Sequence, residues 1–61
     1  MKFPPEIYEA NTQNHLSSAM SIFGQYADGA TIKPEDGKRI AVHFAAALTN
    51  ALLAAASAMS R

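Results

Sequence analysis

The chain has 61 residues, 49% hydrophobic and 16% charged, with five basic and five acidic side chains and no cysteine. A chain this short forms one domain at most and buries only a modest fraction of its surface. Without disulfides or thiolate metal sites, the reinforcement left to it is self-assembly or a partner. Zero net charge gives no field to steer nucleic acid and little repulsion to oppose association.

Residues 1–5 read Met-Lys-Phe-Pro-Pro, with no apolar run to serve as a secretory signal core, so the expected location is cytoplasmic, the alternative being export by another route. Pro4 or Pro5 suits the first helical position, where a missing N–H costs nothing, and Glu6 and Glu9 lie near the positive end of the helix dipole. The apolar periodicity predicts a first helix over 5–27. Tyr8, Thr12, Leu16, Met20 and Phe23 fall on its inner face, and Tyr8, Leu16, Met20 and Phe23 are the expected hairpin core. Asn11 to His15 is polar and rich in weak helix formers, which makes the second half of this helix the stronger.

Residues 28–33 read as the connection. Gly29 is the natural left-handed cap, and Lys33 precedes a proline that biases it away from helix. Pro34, Glu35 and Asp36 then open a second helix over 34–60, with Gly37 weakening its first turn.

That second helix is the organising element, because 40–60 carries no charged residue and is dominated by alanine, the best helix former. At 100° per residue two adjacent apolar seams run along it. One is Ala41, Ala45, Leu48, Leu52, Ala55 and Met59, and the other is Ile40, Phe44, Ala47, Ala51, Ala54 and Ala58. Arg39, His43, Asn50, Ser57 and Arg61 form a narrow polar strip opposite, interrupted by Val42, Ala46 and Leu53 and expected to face outward.

A short connection between helices of similar length makes them antiparallel neighbours. The fold class read from the chain is therefore all-α: one domain over 1–61, an antiparallel two-helix hairpin. Two helices bury one stripe each, and apolar surface is left over on the second. The economical solution is a homodimer forming a four-helix bundle by twofold symmetry. The expected self-association interface is Ile40, Ala41, Phe44, Ala47, Leu48, Ala51, Leu52, Ala55 and Met59.

Chemically suggestive residues have structural explanations. In this register His15 faces inward and His43 outward, with no Asp, Glu or Cys beside either, so no metal site and no cofactor are expected. Tyr8 and Tyr26 read as core edges with wet hydroxyls, and Thr12 with Thr49 or Asn50 as a polar layer that fixes register. The serines have no His/Asp arrangement, and Glu35-Asp36 is a charged helix start. Nothing supplies a base, a nucleophile or a metal, so the chain is read as non-enzymatic.

The function expected from these features is a small protein–protein interaction module, acting as a homo-oligomer or on another protein. One alternative is a nucleic-acid regulator using Lys33, Lys38 and Arg39, although Asp28, Glu35 and Asp36 offset them at the same tip. Another is a membrane-inserted protein through 40–60, flanked by Arg39 and Arg61. Alanine is only weakly hydrophobic, however, and His43, Thr49, Asn50, Ser57 and Ser60 load that span.

Overall fold

The computed structural model describes residues 4–60. They form two α-helices, α1 (Pro5–Phe23) and α2 (Pro34–Met59), packed against each other as a hairpin. The molecule is a rod of 45 × 15 × 14 Å with a radius of gyration of 14.0 Å.

Both helices start as the prolines dictate. Pro4 and Lys33 are extended at the two N-caps (ψ 153° and 140°), the conformation that a following proline imposes, and Pro5 and Pro34 occupy first-turn positions. The Gly37 N–H donates to the Lys33 carbonyl at 2.9 Å, so Gly37 continues the helix. Glu35 and Asp36 sit in that first turn, where the dipole favours carboxylates.

The first helix ends at Phe23, short of the expected 27. Gly24 caps it, donating to the Met20 carbonyl at 2.8 Å. Beyond it the Gln25 and Tyr26 N–H groups reach back only to the Ile22 and Phe23 carbonyls, tight turns that end the helical path. Tyr26 explains why the helix does not resume. Its hydroxyl donates to Asp36 Oδ2 and accepts the Lys33 N–H at 3.2 Å, tying the connection to the start of α2. The expected wet hydroxyl is therefore bonded. The Ala30 N–H donates to the Ala27 carbonyl, closing a turn in which Gly29 takes φ 79°, a backbone that disfavours any side chain.

The helices meet through small and polar groups. Ala19 is fully buried and Ala47 is 4% exposed, while no large side chain among the described residues is fully buried. Alanine at these two points lets the backbones approach. The Thr12 hydroxyl, which also reaches the Tyr8 carbonyl of its own helix at 2.9 Å, lies 3.3 Å from the Ala47 carbonyl across the interface.

Candidate interaction surface

His43, Asn50 and Ser57 of the polar strip turn toward α1, which overturns the expectation that they face outward, while Arg39 is exposed as expected and Arg61 lies outside the described residues. His43 Nδ1 lies 2.9 Å from His15 Nδ1, both side chains half-buried, with ring centroids 5.2 Å apart. One ring must donate and the other accept, so the contact needs at least one neutral imidazole. Two turns further along α2, and one turn back along α1, Asn11 Nδ2 donates to Asn50 Oδ1 at 3.2 Å, and Asn50 Nδ2 donates to the Ala46 carbonyl at 2.8 Å. Ser57 is buried near the open end of the hairpin.

The polar layer expected between Thr12 and Thr49 or Asn50 takes a different form. Thr12 pairs with the Ala47 carbonyl, Asn50 with Asn11, and Thr49 bonds the Ala45 carbonyl of its own helix. Thr12, His43 and Asn50 turn inward because they find hydrogen-bond partners on the facing helix, while small side chains keep the helices close and Thr49 stays exposed. Among the described residues no buried side-chain nitrogen or oxygen lacks a partner.

With the polar strip inward, the bulk of α2 lies outside. A quarter-turn round the helix from Ala47, the line Ala41, Phe44, Leu48, Leu52, Ala55 and Met59 is exposed, Leu48 at 62% and Met59 at 85%. Ala51 is exposed beside it. Of the expected self-association interface, Ala47 is taken up inside the hairpin, and Ile40 is half-buried at the wall of a groove.

The expected hairpin core divides in the same way. Tyr8 and Leu16 are half-buried between the helices, whereas Met20 and Phe23 are 56% and 50% exposed. They do not close the hairpin but form one wall of a groove. At the turn end of that groove Met20, Phe23, Ile32, Ile40, Ala41 and Phe44 line a cavity of ≈ 440 Å³. A shallower hollow follows between Leu16, Phe44, Leu48 and Ala51. A third, more polar one lies between Glu9, Gln13, Ala51 and Ala54.

Ile32 and Gly37 are the contributors that sequence reasoning passed over. Ile32 is the large apolar residue of the connection, and its Cγ2 lies 3.9 Å from where a side chain on Gly37 would begin. The signal was there: an isolated isoleucine in a loop is folded back onto something. Together these residues give an apolar track down one flank of the hairpin, with exposed Lys38 and Arg39 at one end and exposed Glu9 and Gln13 beside the other.

Among the described residues no group of three or more His, Cys, Asp or Glu is placed to hold a metal. One helix among them, Pro34–Met59, is long and apolar enough by length and composition to cross a bilayer. The Asp36 bond, helped by desolvation, holds the Tyr26 phenol above its ordinary pKa of 10.0. No family model, curated protein or solved structure matches the chain.

Proposed function

We propose that this chain is a small non-enzymatic protein–protein interaction module, an adaptor, regulator or assembly subunit, that works as a homo-oligomer. The observation that carries the reading is the exposure of Phe44, Leu48, Leu52 and Met59 along one face of α2, in a hairpin where Ala19 and Ala47, and Pro5 at the start of α1, are the buried apolar residues. A folded chain of 6.5 kDa is expected to expose about 3,800 Å². This one exposes 4541 Å². The surplus of about 700 Å² is close to the ~800 Å² that each partner buries in a standard interface.

Shape supports the same reading. A compact domain of this length has a radius of gyration of about 10.5 Å. The value of 14.0 Å here suits a compact body of about twice the length. A second hairpin laid along the groove adds the missing thickness without adding length.

The experiment is the absolute mass by light scattering across a dilution series, with helical content followed in parallel. A helical dimer or larger closed assembly supports the reading, and a chain that stays helical and monomeric throughout sinks it.

A second reading, insertion of α2 in a membrane, is favoured by one observation: polar side chains meet inside while an 18-residue window of α2 reaches a mean hydropathy of 1.6. Exposed Glu6, Glu9, Gln13 and Asn14 on α1 weigh against lipid around the whole hairpin. Recovery in the detergent phase without a chaotrope would support this second reading.

A further inference from the structure

We infer that the surface along α2 takes a second copy of this chain in the opposite orientation, so that Met59 of each copy enters the ≈ 440 Å³ turn-end cavity of the other. The inference rests on the self-association reading and adds the orientation of the pair and the residue that locks it. Three observations carry it.

The first is the run of side-chain size along the exposed line: small at Ala41, large at Phe44, intermediate at Leu48 and Leu52, small at Ala55, long at Met59. Laid against itself in reverse about its midpoint, near residue 50, this line sets Ala41 opposite Met59, Phe44 opposite Ala55, and Leu48 opposite Leu52. Each layer then holds at least one large side chain and no layer pairs two aromatic rings or two alanines, which evens out the volumes as close packing favours. Laid in the same direction, Phe44 meets Phe44 and Met59 meets Met59, while alanine faces alanine at 41 and 55. That arrangement overpacks two layers and leaves voids in two others, and both faults are costly.

The second is complementarity between the two ends of one molecule. The turn end has an apolar cavity of ≈ 440 Å³, walled by Met20, Phe23, Ile40 and Phe44. The open end has Met59, which at 85% exposure touches almost nothing of its own hairpin. An unbranched thioether suits an irregular apolar hollow. Reversal brings these two ends together, and the same-direction arrangement leaves both unmatched.

The third is the absence of charge from 40 to 60, so that reversal brings no charged side chain into the contact along that segment. The surplus surface of about 700 Å² is close to the ~800 Å² that each copy buries in a standard interface.

The chain has no cysteine, which makes cross-linking unambiguous. Ala41→Cys and Met59→Cys are made singly and together and oxidised mildly at a concentration where the parent mass is that of a dimer. Within one copy the two positions are about 27 Å apart along the helix, far beyond disulfide reach. The expected result is a single covalent dimer from the double variant and none from either single variant. A covalent dimer from a single variant overturns the orientation, as does a ladder from the double variant or no product from a dimeric sample. All three leave self-association standing. A parent that is monomeric, or that partitions into detergent, removes the self-association reading and this inference with it.

A second measurement reads Met59 directly. Met59→Ala should weaken the dimer on the order of 100-fold, about tenfold for each of two methionines, with helical content unchanged at saturating concentration. An unchanged dissociation constant overturns the proposal.

Discussion

Leu48→Ala gives the sharpest test, because its sign differs between the isolated hairpin and the assembly. In the hairpin Leu48 is 62% exposed, so its truncation removes little packing and replaces a good helix former with the best one. An isolated hairpin is therefore unchanged or gains a few tenths of a kcal/mol. In the proposed assembly Leu48 would fill the central layer. Full burial of a leucine is worth roughly 1.5–3 kcal/mol, and with 62% of it still exposed about 1–2 kcal/mol per copy remains to be gained on association.

Twofold symmetry doubles the loss to about 2–4 kcal/mol, or roughly 30- to 700-fold in the dissociation constant. Sedimentation equilibrium of parent and variant over a dilution series measures it, with thermal unfolding at the highest and lowest concentrations as a check. A variant with the parent's dissociation constant would refute the assignment of this face. Leu48→Asp gives a stronger version of the same test, since it places an unpaired charge in that layer and should dissociate the assembly outright.

Other consequences concern the hairpin itself. His43→Ala should cost about 1–2 kcal/mol in chemical denaturation, because it leaves the half-buried His15 Nδ1 without its 2.9 Å partner; a loss near zero would mean the two rings do not pair. Tyr26 has a folded-state pKa above 10.0, so its contribution is fully present below that pH and fades as pH rises through the folded value. Unfolding measured across this alkaline range should show falling stability in the parent and a flatter profile in Tyr26→Phe, whereas parallel profiles would contradict the Asp36 bond. The two glycines should respond with opposite signs. Gly37→Ala stabilises by about 0.5–1 kcal/mol, since its side chain meets only Ile32 at 3.9 Å, whereas Gly29→Ala at φ 79° destabilises by about 1 kcal/mol. Equal effects would mean that the local conformations are not as described.

The elements and their order were legible because their punctuation is local. Pro5, Pro34 and Gly29 act through their own φ, and each has the conformation its chemistry demands. The antiparallel packing was also legible: a register that set Thr12 beside Thr49 or Asn50 lies close to the observed pairs Asn11–Asn50 and His15–His43. The end of α1 was missed because Tyr26 bonds Asp36, ten residues on, a contact no window on one helix can show.

The face of α2 that meets α1 was misread for a different reason. Periodicity separates apolar from polar positions and assumes that the polar side is wet. Here His43 and Asn50 find partners on α1, Thr12 reaches the Ala47 carbonyl, and the adjacent alanines let the backbones close up, so the polar strip becomes the inner seam. The same rotation moved Met20 and Phe23 from core to groove wall and left the Leu48 line exposed. The expected interface residues were legible as an apolar line, and Ala47 alone among them is buried inside the hairpin.

Small-angle X-ray scattering with mass on an absolute scale tests the central claim most directly, because it reads mass and length together. Side-by-side assembly along the α2 stripe predicts twice the chain mass in a particle still about 45 Å long, with the added material in its cross-section. A particle of single-chain mass at every concentration, or one that doubles its length with its mass, would contradict it.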